Sequence, residues 1–279
     1  METFTEAKAD QLPLNQRVNL LAHNVDGLVA LEKPPGAMSH PNKPEDIKKS
    51  LLKAEYDYDE ECFTWTDSDE RVLRAWLINR LDSPTSGVIL LGLNPEISQT
   101  IKQNFRTHKV TKIYYALVKG MINKPKGIWF DKLSKDPINN GPRVKASRTI
   151  SAKARYQIVK SPKGGFPLTL IKLFPLTGRT HQLRVQCKKH GLPIVGDRTY
   201  GSFSFNREVK TLTTEKRMML HSAETVVNYT FKGKVREFRA VSELPDAFYS
   251  VLNYRPGMNP ARLKSSTSPN LEGRRFREV

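Results

Sequence analysis

Two short runs of apolar residues, VLRAWLI at 72–78 and VILLGL at 88–93, bracket the polar stretch NRLDSPTSG at 79–87. Val, Ile and Leu dominate both runs, which read as buried strands rather than helices. The stretch between them must therefore be a tight connection between two core strands. Asp82 sits in that connection, where a carboxylate can be held rigidly while its head faces a cleft. A lone Asp-Ser-Pro is most simply a turn that bonds its own backbone. Arg80, two residues away, points the same way in extended geometry, and a cation beside a carboxylate favours its ionised form. Such a group can serve as nucleophile or base.

Further elements follow from pattern. A strand is expected over Gly27–Lys33, closed by Pro34, Pro35 and Gly36, and an amphipathic helix over Pro44 to Ala54. An acidic, aromatic loop is expected from Glu55 to Glu70. Asn94, Pro95 and Glu96 form a helix start, with Ile97, Ile101 and Phe105 at four-residue spacing. TKIYYALVKG alternates as a strand, placing Tyr114, Ala116 and Val118 on one face. More strands are expected near 126–131, 150–160, 166–174, 218–230 and 234–241, and a second helix in THQLRVQCKKHG with Gly191 as its stop. Many strands and few helices favour an α+β fold. One domain over 17–256 is expected between a disordered N-terminus, 1–16, and a basic disordered tail, 257–279.

Charge narrows the partner. The chain carries 46 Lys and Arg against 28 Asp and Glu, a formal +18, which points to a polyanion and first to nucleic acid. No apolar run approaches the roughly 20 residues of a membrane span, so a soluble, cytoplasmic protein without membrane association is expected. Cys62 and Cys187 stand far apart, and the six histidines form no HExxH pattern, so no metal is expected.

A second constellation is PLTGRTHQLRVQ at 175–186. Gly178 permits close backbone approach, and a helix starting just after it would aim N–H groups and Arg179 at a phosphate. Arg184, one turn in, could reach a buried acid, and His181 reads more simply as a satisfied polar side chain. Tyr114 reads as core packing or as a ring that stacks on a base.

Six segments in this order resemble the RluA family of RNA pseudouridine synthases: Lys33–Pro41, Asn79–Gly87, Lys112–Ala116, Gly178–Arg184, Gly196–Gly201 and Leu220–Ser222. The resemblance implies a pseudouridine synthase fold, with a central, mostly antiparallel mixed sheet crossed by a cleft. It also implies isomerisation of uridine in rRNA or tRNA by a monomer with no cofactor. By likeness the catalytic set is Asp82 as nucleophile, Tyr114 against the uracil and Arg184 paired with Asp82. Arg80, which would fill the stack left by the flipped nucleotide, Arg179 and Leu183 would bind substrate. Asn79, Gln186 and Ser222 depart from the family pattern of His, His and Ala, and no S4 RNA-binding domain is expected ahead of Gly27. A non-catalytic RNA-binding module on the same fold is the rival reading; a carboxylate glycosidase lacks an obvious partner acid.

Overall fold

The computed structural model describes residues 7–134 and 149–258. Its twelve described strands are β1 (Asn19–His23), β2 (Leu28–Lys33), β3 (Glu55–Asp57), β4 (Cys62–Thr66), β5 (Val72–Leu77), β6 (Ser86–Gly92), β7 (Val110–Lys119), β8 (Lys126–Ser134), β9 (Thr149–Lys160), β10 (Leu168–Pro175), β11 (Leu220–Phe231) and β12 (Lys234–Val241). The described helices are α1 (Pro95–Arg106), α2 (Gln182–Lys189), α3 (Phe203–Thr213) and α4 (Asp246–Leu252). The strands form one sheet in the order β3-β4-β5-β6-β11-β7-β10-β9-β8, with β2 on β6, β1 on β2 and β12 on β11. Described pairings are antiparallel except that of β6 with β11, so the sheet is mixed and the fold α+β, as expected.

Alternation along the strands divides the core by face. In the first half of the sheet, Val29, Leu31, Ile89 and Leu91 share one cluster with Phe63 and Leu73. Their sequence neighbours Leu28, Ala30, Val88 and Leu90 meet Ile97 and Ile101 of α1 on the other face. The second half repeats the scheme: Ala116 and Val118 pack with Leu183 and Cys187 of α2, whereas Leu117 packs with Phe205 of α3 and Phe248 of α4. Tyr114 touches both the first and the third cluster, so it lies at the seam between the halves.

The seam is narrow. β6 pairs with β5 at Leu91 and Gly92 but with β11 at Ser86 and Gly87, so its edge is forked between the two partners. Within the fork the Leu90 N–H donates to Asn79 Oδ1 at 2.8 Å, and the Ile78 N–H donates to the Leu90 carbonyl at 3.0 Å. The Asp82 connection leaves from this fork. Gly87 makes the close approach possible: its φ is +106°, and a Cβ there would lie 2.0 Å from the Ser222 carbonyl oxygen.

Several expectations need correction. Within the end expected to be disordered, residues 7–16 are irregular apart from a 3-10 turn at Ala9–Gln11 but docked: Ala7 and Leu12 are buried with Leu51 and Leu52, and Asn15 donates to the carbonyls of Ile47 and Ser50 at 2.7 and 3.0 Å. Isolated apolar residues without periodicity dock there, which pattern reading does not detect. Instead of a helix to Ala54, a 3-10 turn spans Pro44–Lys49 and the chain then enters the core in irregular form, burying Leu51, Leu52 and Ala54. The acidic loop contains the hairpin β3–β4, stabilised by aromatic contacts, His40 stacked on Tyr56 and Phe63 meeting Tyr56 edge-on, rather than by an alternating pattern. From residue 259 on, the expected basic tail lies outside the described residues.

The short β6–β11 contact is cross-braced by buried polar groups. Fully buried His221 accepts from the Ser86 hydroxyl through Nδ1 (2.8 Å) and donates from Nε2 to the Ser242 carbonyl (3.2 Å), while Arg217 donates to Ser86 Oγ. Burial first, and the Arg217 charge further, push the His221 pKa down to about 4 although the Ser242 carbonyl opposes this. The unfolded chain then binds more protons than the folded one between about pH 4 and 6.5, so stability falls as the pH drops through that window. The expected loss is about 3 kcal/mol, from roughly 1.36 kcal/mol per unit. Urea midpoints from pH 7 to 4 should show this slope in the wild type and a shallower one in His221→Gln; identical slopes would remove His221 as its source.

Candidate active site

A cleft of about 620 Å³ runs along the seam and is lined from both halves of the sheet. Asp82 lies on its wall, and so do Arg80, Tyr114, Arg179, Leu183 and Arg184, so all six expected site residues meet there. They come from the β5–β6 connection, β7, the β10–α2 connection and α2.

Arg184 joins the two sides. Its Nη1 donates to Asp82 Oδ2 at 3.0 Å, while Nε and Nη2 form a two-pronged pair with Asp197 at 2.8 and 3.0 Å. The expected Asp82–Arg184 pair is therefore present in the geometry. The second acid was not foreseen. Arg184 is 5% exposed and Asp197 0%, whereas Asp82 is 24% exposed, so the inner pair is dry and the outer carboxylate faces the cleft. Burial works against both inner charges, yet their hydrogen bonds outweigh it: Asp197 is held below the usual carboxylate range and Arg184 above the usual guanidinium value. Asp197 Oδ1 also accepts the N–H groups of Thr199 and Tyr200 at 2.8 and 3.0 Å, and the Tyr200 ring covers the guanidinium at 5.1 Å. The Gly196–Gly201 turn thus serves as the socket for Arg184.

The floor beneath Asp82 is a second unforeseen feature. Lys33 is fully buried, and its ammonium donates to the carbonyls of Pro34, Ala37 and Ser83 at 3.2, 2.5 and 2.9 Å. One lysine therefore ties the Pro34–Ala37 turn to the residue after Asp82. Burial lowers its pKa to about 7, with the Asp82 charge pulling upward and Arg217 downward. Ser39 adds a second tie, donating to the Leu81 carbonyl and accepting the Leu81 N–H.

Tyr114 offers its ring to the cleft while its hydroxyl bonds to Ser222; burial first, then the Asp82 charge, push its pKa up to about 12 against that hydrogen bond. Ser222, where the family pattern has Ala, thus has a partner. Gln186 likewise is buried, donating to Asp131 at 2.9 Å and accepting from Gln182 at 3.1 Å. Lys112, not singled out in the sequence, lies over the Phe105 ring and lines the cleft, with its pKa lowered by burial.

The phosphate cradle expected at Gly178 has a different form. α2 begins at Gln182, not beside Gly178, and the Arg179 N–H is taken by Gln182 Oε1 at 3.0 Å. Exposed Arg179 remains on the wall as a side-chain cation. The residue before α2, His181, has φ 53°, a left-handed conformation that is costly for a non-glycine residue. That backbone brings its ring to the Tyr200 hydroxyl at 3.1 Å and to within 3.8 Å of Asp82 Oδ1. No group of His, Cys, Asp and Glu suited to a metal ion occurs among the described residues, and no described helix is long and apolar enough to cross a membrane.

Comparison with known proteins gives one consistent picture. A family described as RNA pseudouridylate synthase matches residues 27–189. A tRNA pseudouridine synthase C of Haemophilus ducreyi is 33% identical, over 71% of this chain and 80% of its own length. The dual-specificity RNA pseudouridine synthase RluA of Vibrio cholerae is 32% identical, over 71% and 72%. A Pectobacterium carotovorum tRNA pseudouridine synthase C is 28% identical; the match covers 78% of this chain but 57% of that protein. In fold, the chain resembles human RNA pseudouridylate synthase domain containing 1, with a TM-score of 0.61 at 19% identity, over 97% and 100% of the two chains.

The nested acids make a ranking of stabilities testable. Asp197→Ala leaves Arg184 buried beside a lost partner and is expected to cost about 3–5 kcal/mol. Asp82→Asn keeps an oxygen acceptor at a partly exposed position and is expected to cost less than about 1 kcal/mol. Denaturant midpoints at constant slope measure both, and equal losses would contradict the division into a dry inner pair and an outer carboxylate.

Proposed function

Because this chain belongs to the RNA pseudouridylate synthase family, whose named members are isomerases, we propose that it converts uridine to pseudouridine in rRNA or tRNA with Asp82 at the reacting sugar. The observation that carries the assignment of Asp82 is its shared bond to Arg184. One carboxylate oxygen is bound by a guanidinium that Asp197 holds in place, and the other, Oδ1, meets among the described residues only the distant His181 imidazole. Such an oxygen is rigidly placed and free to meet ribose carbon.

In this reading the target uridine leaves its stack and enters the cleft, at a cost of a few kcal/mol offset by phosphate contacts to Lys112 and Arg179. Arg80 fills the vacated stack. Cleavage of N1–C1′ leaves the bonding electron pair on the base and positive character on the ribose, which the Asp82 carboxylate stabilises. The detached ring turns against Tyr114 and Leu183, C5 bonds to C1′, the proton on C5 departs, and N1 gains one. Reactant and product are isomers, so no cofactor is consumed.

The Tyr114 hydroxyl is occupied by Ser222, so its ring face rather than its acidity serves the reaction. Tyr114→Phe should therefore keep most activity, within about threefold, whereas Tyr114→Ala should lose at least about tenfold. Asp82→Asn should abolish turnover while retaining RNA affinity, because the carboxylate serves the chemistry and the basic surface serves binding. Both sets are read by tritium release from RNA carrying 5-tritiated uridine, on RNA whose modified sites are first mapped by comparing cells with and without the protein. Wild-type turnover by Asp82→Asn would refute the assignment of Asp82, whereas RNA binding without tritium release by the wild-type chain would make the non-catalytic RNA-binding module the better account.

A further inference from the structure

A second cavity, of about 460 Å³, lies between Gly196–Arg198, α3 and the segment Glu215–Met219, and shares no lining residue with the cleft. Its lining includes five cations, Arg198, Arg207, Lys210, Lys216 and Arg217, against the single acid Glu215. Arg198, Arg207, Lys210 and Lys216 are exposed and enter no ion pair among the described residues. Arg217 is partly buried at the cavity wall, where desolvation lowers its pKa to about 10 although Glu215 and Glu32 pull it upward. Gathering like charges is unfavourable unless an anion sits among them.

Two further features narrow the anion. Phe203, the first residue of α3, lines the cavity with 61% of its surface exposed, while Val195, Val209 and Met219 supply a buried apolar floor. A free phosphate has no use for an exposed ring, whereas cations beside an aromatic platform suit single-stranded nucleic acid. The cavity is also joined to the Asp82 site. Asn206 of α3 accepts the Gly196 N–H at 2.8 Å and donates to the Asp197 carbonyl at 3.0 Å, and Asp197 is the residue that positions Arg184.

We propose that this cavity is a second RNA contact, holding backbone phosphates of a single-stranded nucleotide outside the one in the cleft, with its base against Phe203. The identity of the ligand rests on the RNA reading of the cleft; the cavity's affinity for phosphate does not.

The test uses the full chain and a fluorescein-labelled 15-nucleotide single-stranded RNA of mixed sequence, with anisotropy followed across potassium chloride concentrations. Arg207→Gln/Lys210→Gln/Lys216→Gln removes three exposed cations without touching the Asp82 site, and circular dichroism verifies the fold. Each lost phosphate contact lowers the slope of log affinity against log salt by about 0.7, so the slope should flatten by about 2. Phe203→Ala should weaken binding about fivefold or more at unchanged slope. A control, Lys126→Gln/Lys232→Gln/Lys234→Gln, should keep the wild-type slope. The proposal is overturned by a wild-type slope in the cavity variant, or by an equal change in the control. Calorimetry with tripolyphosphate separates the sources: loss of that ligand in the cavity variant with RNA binding intact would make this a small-anion site and overturn the RNA contact. Tritium release is scored separately: absent turnover with a flattened slope defeats the synthase reading alone, and normal turnover with an unchanged slope defeats the cavity alone.

Discussion

At the centre of the candidate site a single guanidinium is shared between two carboxylates. Arg184 uses both prongs on Asp197 and one remaining donor on Asp82, so its orientation is fixed before any substrate arrives. A buried arginine of this kind is tolerated only when its charge and its donors are satisfied. The Gly196–Gly201 turn meets that need with a carboxylate that two backbone N–H groups hold in turn. Gly196 is required for it: its φ is +77°, and a Cβ would meet the Arg217 carbonyl oxygen at 2.0 Å. Rigidity at Asp82 is thus transmitted from a turn more than a hundred residues later in sequence.

The same logic explains why the sheet is forked at its centre. A continuous β5–β6–β11 sheet would satisfy every backbone group on the β6 edge and leave no room for a cleft. Here the edge is released at Leu90, and the Asn79 side chain supplies the acceptor that a neighbouring strand would otherwise provide. Asn79 stands where the family pattern has His, and its carbonyl oxygen performs a backbone role that constrains the strand exit rather than the chemistry. Lys33 then holds the released connection at the Ser83 carbonyl and ties it to the carbonyls of Pro34 and Ala37. The wall is built of polar ties because the apolar core stops on either side of the seam.

What could be read from the sequence followed the range of the interaction. α1 was legible because cap, proline and apolar period are local; Asn94 does accept the Ile97 N–H, at 2.9 Å. The flanks of Asp82 were legible because β6, buried on both faces, is a continuous apolar run, while β5 alternates buried Leu73, Ala75 and Leu77 with more exposed neighbours. The hairpin β3–β4 and the docking of Ala7 and Leu12 were not, since each rests on contacts with distant residues and carries no period of its own. α3 and α4 were missed as well, their burial being set by Leu117 and Leu170 of the sheet. At the site, resemblance supplied the Asp82–Arg184 pair, but the role of Asp197 was hidden: Gly-Asp-Arg-Thr-Tyr-Gly reads as an ordinary turn until Arg184 is seen inside it. Lys33 was hidden for the same reason, its three acceptors being backbone groups with no residue signature.

The distribution of charge completes the argument. In the proposed reaction the buried charges at the centre balance, with Arg184 and Lys33 set against Asp197 and the partly exposed Asp82, whereas exposed cations among the described residues, such as Arg179, Arg198 and Arg207, stand on the surface. Neutrality at the centre matters because a carboxylate drowned in positive field would be a poor partner for a cationic ribose. Surplus at the surface matters because extruding a base costs energy that the flipped nucleotide alone does not return. Contacts to phosphates are insensitive to sequence, so they can supply that energy for many RNAs alike. On the two proposals above, choice among uridines comes from the shape of the RNA that lets cations on separate elements, in the cleft and beside α3, engage together. The hydrogen bonds of Asn206 to Gly196 and Asp197 would make this a geometric requirement of those proposals: an RNA that reached one set of cations at the wrong spacing would not bring its uridine to Asp82.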